Sequence, residues 1–286
     1  MPVIQITQDI AFKYADRIPP ELLNDLDREY FRGLAVENDI DGQLQAAMIW
    51  EMKKLEDLDA PAEAEILWFW ADDEAGGEAL LSEFELSVQN FNVDATRFEL
   101  ESLEPAERRV LISSGFEISE AESRDICVTV EEMVSLSPFH REVRPVDYIK
   151  SLADITTSQF KAGIMDSAYH GRYGLLDDLP FLPMTRYDPD ISSCTITDDK
   201  INGLLLVHKT VTGIFIMELL FAMEPDANIN LLKMMRFSAG MAKALCDPED
   251  IVILRRHNEA SKALVHKLFP DKKGNMVFRG EKQNEY

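Results

Sequence analysis

One order of secondary-structure elements runs through this chain twice. In the first half, a strand predicted at residues 64–71 is followed by a polar turn and by a helix predicted at residues 78–90. In the second half, a strand predicted at residues 213–221 is followed by a polar turn and by a helix predicted at residues 229–245. Repetition on the scale of a whole domain implies two related domains rather than a solenoid.

The chain of 286 residues is long enough for two domains of ordinary size. The periodic pattern breaks near residues 131–145, so we predict domains at residues 1–134 and 135–286. Alternating apolar residues at 125–130 predict the last strand of the first domain. Residues 276–279 are predicted to form the last strand of the second domain.

The predicted elements favour an α/β class of fold with mixed sheets. A strand, a turn, a helix and a further strand predict an open mixed sheet covered by helices. Residues 150–171 are predicted to form a helix at the start of the second domain. Residues 198–203 are predicted to form a hairpin turn that matches the earlier turn at residues 38–42.

The negative charge of the chain is concentrated in its first half. The formal net charge is −23, and residues 1–135 hold 32 acidic and 10 basic side chains, a net of −22. The remaining residues hold 20 acidic and 19 basic side chains, a net of −1. A field of this sign repels nucleic acid and anionic lipid, so we expect neither as a partner. A protein that recognises the acidic first half remains a candidate partner.

Targeting and cysteine patterns point to a cytoplasmic protein. No apolar run approaches the roughly 18 residues that a membrane helix needs, and the first residues lack the pattern of a secretory signal. The three cysteines, Cys127, Cys194 and Cys246, are far apart, and we expect each to be a small buried apolar residue. The histidines show no metal-ligand spacing, so we predict no metal site.

A family resemblance rests on the segment that follows the strand predicted at residues 251–255. Asn258, Ser261, Leu264 and Lys267 fit the start of the last helix in the GNAT acyltransferase superfamily, and the first half keeps a terminal Gly115-Phe116 pair. The chain therefore resembles two tandem GNAT-like domains. The resemblance implies that acetyl-CoA is the cofactor and that it binds where two central strands diverge.

The resemblance also implies which residues would contact acetyl-CoA. The backbone of the fourth strand of the second domain, at Leu219, Leu220 and Phe221, would pair with the pantetheine arm. The start of the next helix, at Asn228 and Ile229, would offer amide N–H groups to the pyrophosphate. Asn258 would complete the set of cofactor-binding residues.

Both halves depart from the family pattern in the pyrophosphate turn. The family places an Arg or Gln, then two small residues, in this turn. The first half has Asp72, Ala75 and Gly77 at these three places, and the second half has Met223, Asp226 and Asn228. The first half thus reads as an acidic, degenerate domain. The position of the family's proton-donating Tyr is taken by Leu111 in the first half and by Val265 in the second.

Two side chains are candidates for catalysis. Glu218 lies in an apolar strand, where burial would raise its pKa toward the range of a general base. His257 follows the fifth strand of the second domain and titrates near neutral pH. The alternative is that Glu218 is ion-paired and that His257 is a surface residue ahead of the helix.

Two functions follow from these observations. The first is an acyl-CoA-dependent N-acetyltransferase that acts on an unknown amine, with its site in the second domain. The second is a catalytically inactive binding or scaffold protein on the same fold. An open cleft between the fourth and fifth strands of the second domain would favour the enzyme, whereas a cleft filled by Phe221 and Met223 would favour the scaffold.

Overall fold

The computed structural model divides the chain into two compact units. It describes residues 2–26, 28, 30–38, 42–53, 62–139, 146–170, 182–223, 226–256 and 258–284. Unit 1 consists of residues 1–123 and 275–286, and unit 2 consists of residues 124–274.

The strands and helices of the described residues agree with the mixed α/β class. The strands are β1 Val3–Ile6, β2 Phe31–Glu37, β3 Leu44–Lys53, β4 Glu63–Ala71, β5 Ala95–Leu100, β6 Glu117–Glu122, β7 Asp125–Thr129, β8 Ile149–Ser151, β9 Ser193–Thr197, β10 Lys200–Lys209, β11 Phe215–Ala222, β12 Ile251–Arg255 and β13 Met276–Gln283. The helices are α1 Pro20–Leu23, α2 Glu74–Asn90, α3 Pro105–Ser113, α4 Val130–Val134, α5 Thr157–Tyr169, α6 Ala227–Leu245 and α7 Glu259–Leu268.

Each unit is built on one mixed sheet within the described residues. The sheet of unit 1 has the order β1-β2-β3-β4-β5-β13-β6, and the sheet of unit 2 has the order β7-β12-β11-β10-β9-β8. The pairs β4–β5 and β11–β12 are parallel, and the other neighbours are antiparallel. A helix connects each parallel pair, α2 in unit 1 and α6 in unit 2, as a crossover between parallel strands requires.

The last strand of each predicted domain lies in the sheet of the other unit. β7 pairs with β12 of unit 2, with Cys127 opposite Ile253. β13 lies between β5 and β6 of unit 1, with Arg279 opposite Glu99 and Ser119. The division of the chain therefore differs from the one expected at residue 134. Alternating apolar residues predict a strand, but they do not specify which sheet the strand joins.

Glycine explains how β13 fits between its two neighbours. Gly280 lies opposite Phe98 of β5 and Ile118 of β6. A Cβ atom at position 280 would overlap the ring of Phe98, which is 1% exposed in the core of unit 1. The sequence at the end of the chain is thus fitted to the sheet of unit 1.

Two apolar layers cover the two faces of the unit 2 sheet. On one face, α5 contributes Phe160 and Ile164, which pack with Leu204 and Leu206 of β10. On the other face, the side chains that pack against Leu205 and Val207 come from α4, α6 and α7 and include Val130, Met234 and Val265. Alternate residues of β10 thus point to opposite layers, as in any strand. We call these two layers the α5 face and the α6 face.

Three expectations about local structure are corrected. Residues 150–171 begin with β8, and α5 starts only at Thr157, where Thr156 and Gln159 form a capping box. The predicted hairpin turn at residues 198–203 is a two-residue turn at Asp198 and Asp199, both with positive φ, so that β10 begins at Lys200. Cys127 is exposed rather than buried.

None of the described helices is both long enough and apolar enough to cross a membrane.

Candidate functional site

The two parallel strands of unit 2 separate after a short contact. β11 and β12 pair only at Phe215 with Val252 and at Ile216 with Ile253. β11 then continues to Ala222 with β10 as its neighbour on the other side. The edge of β11 beyond residue 216 therefore faces an opening toward β12. Unit 1 has the same feature, because the pairing of β4 with β5 ends at Ile66 and Phe98.

A β-bulge lies beside this opening in each unit. In unit 2, Leu206 pairs with Leu219 and Val207 pairs with Met217, so Glu218 is the extra residue of β11. In unit 1, the same shift between β3 and β4 makes Leu67 the extra residue. The two units thus share the backbone feature, but they place different side chains on it.

Glu218 is buried and holds two partners on the α5 face. Arg186 donates from Nη2 to Oε1 over 3.0 Å and from Nε to Oε2 over 3.4 Å. Nδ1 of His208 lies 3.1 Å from Oε1. Burial by itself would raise the pKa of Glu218, but the hydrogen bond with His208 and the charge of Arg186 outweigh it and lower the pKa to about 2. The expected rise in the pKa of Glu218 is therefore wrong, because Arg186 and His208 were not anticipated as its partners.

Sequence reasoning treated His208 as one of several scattered histidines. In the structure it lies on β10 opposite Ile216, and Glu218 follows on the same hairpin. A short turn joins β10 to β11, with Thr210 accepting from the backbone N–H of Ile214. The pairing register of the β10–β11 hairpin would have predicted that His208 and Glu218 are close, because cross-strand neighbours lie within contact distance.

The two helices that follow the fourth strands have different N-termini. In unit 1, the N-cap residue Asp73 accepts a hydrogen bond of 2.7 Å from the backbone N–H of Gly76. In unit 2, Asp226 is the N-cap of α6, but its side chain makes no capping hydrogen bond, and the first turn holds no acidic residue. Asn228 and Ile229 are exposed in this first turn. The Asp73 carboxylate is thus hydrogen-bonded to a backbone amide of α2, whereas the Asp226 carboxylate makes no such bond to α6.

The remaining residues expected at the cofactor lie along β11 and at α7. Leu219 and Phe221 are buried on the α5 face, and Leu220 is partly buried on the α6 face. Asn258 is the N-cap of α7, where Oδ1 accepts from the backbone N–H of Ser261 over 2.8 Å. His257 lies outside the described residues.

An apolar cavity of about 60 Å³ lies under the α6 face, beside the opening between β11 and β12. Its lining includes Met217, Leu254, Val265 and Phe269. Phe221 and Met223 do not line it, since both pack on the α5 face. The two side chains that would have marked a filled cleft therefore do not fill this space.

Basic side chains between residues 255 and 273 are engaged in ion pairs. Arg255 lies 3.3 Å from Asp125, and Lys272 lies 2.7 Å from Glu132. Within the described ranges, no group of three or more His, Cys, Asp or Glu side chains is arranged to hold a metal ion.

Nearly the whole chain superimposes on solved structures of a tandem GNAT protein, a probable N-acyltransferase and a GCN5-related N-acetyltransferase. A tandem GNAT protein from the clavulanic acid biosynthesis pathway matches with a TM-score of 0.60 and 10% identity, over 100% of this chain and 99% of that one. The chain has a tandem GNAT fold. A probable N-acyltransferase from Enterococcus faecalis V583 matches with a TM-score of 0.54 and 12% identity, over 99% of this chain and 73% of that one.

A GCN5-related N-acetyltransferase from Kribbella flavida also covers nearly the full length, with a TM-score of 0.52, 12% identity, and 98% and 96% of the two chains. No protein-family model matches the sequence, and no curated protein matches it either. The tandem GNAT fold is thus evident in the backbone and not in the overall sequence. Leu111 and Val265, at which the sequence resemblance would place the GNAT Tyr, are both buried.

Proposed function

We propose that the chain is an acyl-CoA-dependent N-acyltransferase whose active site lies in unit 2. The observation that carries this proposal is the combination of an open strand edge, a charged bulge and an α6 N-terminus without a carboxylate cap. Unit 1 has the open edge and the bulge, but it has neither the charged side chain nor the free helix N-terminus. Fold alone does not specify activity, so the proposal rests on these local differences.

Within this proposal, three groups of residues would hold acetyl-CoA, which supplies the acyl group. The backbone of Leu219–Phe221 would align the pantetheine arm along the free edge of β11. The first-turn amides of α6, at Asn228 and Ile229, would attract the pyrophosphate through the helix dipole and exposed N–H groups. Asn258 would contribute its side-chain amide nitrogen, because its Oδ1 is already used in the cap of α7.

We propose a cationic amine as the acceptor. The chain carries a net charge of −23, and a field of this sign raises the local concentration of cations. Two of the solved structures that match the chain are described as a probable N-acyltransferase and a GCN5-related N-acetyltransferase, which supports an amine acceptor of some kind.

A second candidate function is a catalytically inactive binding or scaffold protein, with a protein partner for its acidic first half. Asp226 and Asn228 occupy places where the GNAT pattern has small residues, and Val265 occupies the place of the proton-donating Tyr. These departures favour the scaffold, whereas the charged bulge at Glu218 favours the enzyme.

Isothermal titration with acetyl-CoA separates the two functions. We expect the wild-type protein to bind acetyl-CoA with a Kd of tens of micromolar, roughly −6 kcal/mol. Asn228→Asp should weaken this binding about tenfold, because a carboxylate in the first turn of α6 repels the pyrophosphate.

Asp73→Asn at the start of α2 is the matched control, because it changes the same pair of residue types in the other unit. It should leave the Kd unchanged. If the titration gives no heat at hundreds of micromolar acetyl-CoA, the N-acyltransferase function is contradicted and the scaffold function is favoured. Tighter binding in Asp73→Asn, together with an unchanged Kd in Asn228→Asp, would move the site to unit 1, because the first change removes a carboxylate that repels the pyrophosphate.

A further inference from the structure

Three side chains on the α5 face form a chain of contacts that runs from the core toward the surface. Glu218 is the most buried, with 4% of its side chain exposed. Arg186 is 13% exposed and His208 is 19% exposed. The carboxylate is therefore the most enclosed member of the group, and the imidazole is the most exposed of the three.

The contacts of Glu218 prevent it from acting as a base but allow it to orient a base. Both of its oxygens accept hydrogen bonds from Arg186, and Oε1 also faces Nδ1 of His208. A carboxylate that stays ionised beside Nδ1 favours the tautomer with the proton on Nδ1. The lone pair of the imidazole then lies on Nε2, for which the described residues provide no hydrogen-bond partner.

His208 is placed where the strands of unit 2 separate. It pairs with Ile216, which is the last residue of β11 that pairs with β12. Glu218, in the bulge, is the first polar side chain beyond that point. We propose that His208 is the proton acceptor of the acyl-transfer site in unit 2 and that Glu218, held by Arg186, is its positioning residue.

This inference rests on the proposed function and assigns the proton movement within it. The ammonium group of the acceptor first loses one proton to solvent. Nε2 of His208 then accepts the second proton, which the amine nitrogen loses as it bonds to the thioester carbonyl carbon. The carbon–sulfur bond breaks, and the imidazolium returns the proton to the departing thiolate. His208 is thus base and acid in turn, which removes the need for a Tyr at position 265.

The first experiment measures the tautomer of His208 without any cofactor. Long-range proton–nitrogen correlation spectra of the protein labelled with ¹⁵N-histidine, near pH 8, distinguish a protonated Nδ1 from a protonated Nε2. His208→Gln identifies the signals by their loss. We expect the Nδ1–H tautomer in the wild type and a mixture in Glu218→Gln. An Nε2–H tautomer in the wild type would overturn the inference.

The second experiment measures release of the CoA thiol from acetyl-CoA in the presence of a panel of primary amines. His208→Gln should lower kcat about 100-fold or more while the Kd for acetyl-CoA, titrated on the same sample, changes by less than about threefold. It should also remove the acidic limb of the kcat profile against pH, where Arg186, Glu218 and Tyr187 are the other titratable groups beside the imidazole.

His170→Gln is the matched control, because His170 is an exposed histidine at the C-terminal end of α5. It should change neither kcat nor the pH profile. Unchanged kcat in His208→Gln would overturn the inference and leave the proposed function intact. Acetyl-CoA binding without turnover of any amine by the wild type would overturn both the inference and the enzymatic function, while the cofactor site would stand.

Discussion

The fourth strand and the following helix of unit 1 and unit 2 share a backbone and differ in charge. Unit 1 has Leu67 in the bulge and a carboxylate, Asp73, on the N-terminus of α2. Unit 2 has Glu218 in the bulge and no capping side chain on the N-terminus of α6. The open strand edge persists in both. The comparison teaches that two units can share the backbone of a site and carry different charges on it.

Gly77, in the first turn of α2, matches the cofactor pattern but also has close packing contacts. A Cβ atom on Gly77 would lie 3.1 Å from two methyl carbons of Val110 in α3, and Ala71 lies 3.3 Å away. A Cβ atom at this position would therefore crowd the packing of α2 on α3. A glycine that matches a cofactor pattern thus also has a packing role in unit 1.

The stabilities of the two units can be measured separately. All three tryptophans, Trp50, Trp68 and Trp70, lie in unit 1, so their fluorescence reports on that unit alone. In unit 2, burial and then the charge of Asp154 raise the pKa of the Cys194 thiol to about 12. The native thiol should resist alkylation, and its reaction reports the unfolding of unit 2.

The largest effect is expected at the bulge of unit 2. Glu218→Gln should lower the free energy of unfolding of unit 2 by about 3 kcal/mol near neutral pH, because Arg186 loses its buried partner. The pKa of Glu218 in the folded protein, about 2, is below the ordinary value of 4.5. The stabilisation that the Glu218 carboxylate gives to unit 2 is therefore complete above pH 4.5 and is lost as the pH falls toward 2. The difference between variant and wild type should shrink to about 1.5 kcal/mol near pH 3.

Urea titrations near neutral pH and near pH 3 test this prediction. Unfolding of unit 2 is followed by the reaction of Cys194 with a pyridyl disulfide, because alkylation needs the thiolate and is too slow near pH 3, and unfolding of unit 1 is followed by tryptophan fluorescence. The matched substitution in unit 1 is Leu67→Met, which keeps an apolar bulge and should show no such pH dependence. A pH-independent difference for Glu218→Gln would show that the carboxylate is not held in its charged form.

The next effect is expected in the sheet of unit 1. Gly280→Ala introduces a Cβ atom that overlaps the ring of Phe98, and should destabilise unit 1 by about 2 kcal/mol. Tryptophan fluorescence in urea measures the loss, and Cys194 protection in unit 2 should not change. Equal destabilisation of both reporters would contradict the assignment of β13 to unit 1.

A smaller effect is expected at the N-terminus of α2. Asp73→Ala removes the side-chain acceptor of the Gly76 N–H and should lower the stability of unit 1 by about 1 kcal/mol, measured by fluorescence. Asp226→Ala at the start of α6 should cost little, because its side chain makes no capping hydrogen bond. Similar losses in the two units would remove the difference between the two helix N-termini.

The smallest effect has the opposite sign. Gly240 lies in α6 with open space around the position of a Cβ atom. Gly240→Ala should therefore stabilise unit 2 by about 0.5 kcal/mol through helix propensity. The same substitution type destabilises unit 1 at Gly280. Denaturation of the two variants therefore compares a position where a Cβ atom has open space with one where it overlaps a neighbouring ring. A loss of stability at Gly240 would point to an unexpected contact on α6.

Local patterns in the sequence predicted most elements, and long-range pairing accounts for what they missed. Helix α6, from Ala227 to Leu245, was predicted at residues 229–245 from the local sequence pattern. The tandem fold was predicted from the repeated order of elements. The sheets that β7 and β13 join were not predictable, because strand alternation carries no information about partners. Arg186 was missed as the partner of Glu218 for a related reason, since a separation of 32 residues leaves no periodic trace.

The exchange of β7 and β13 also determines when the chain can complete its fold during translation. The sheet of unit 1 lacks the strand between β5 and β6 until residues 276–283 have left the ribosome, when all of unit 2 has already emerged. Most N-terminal domains finish folding while the rest of the chain is being made. Until β13 has been synthesised, the edges of β5 and β6 that it will cover are unpaired. Unpaired strand edges are sites for aggregation and for binding by chaperones. The sheet of unit 1 is thus completed only after unit 2 has been synthesised.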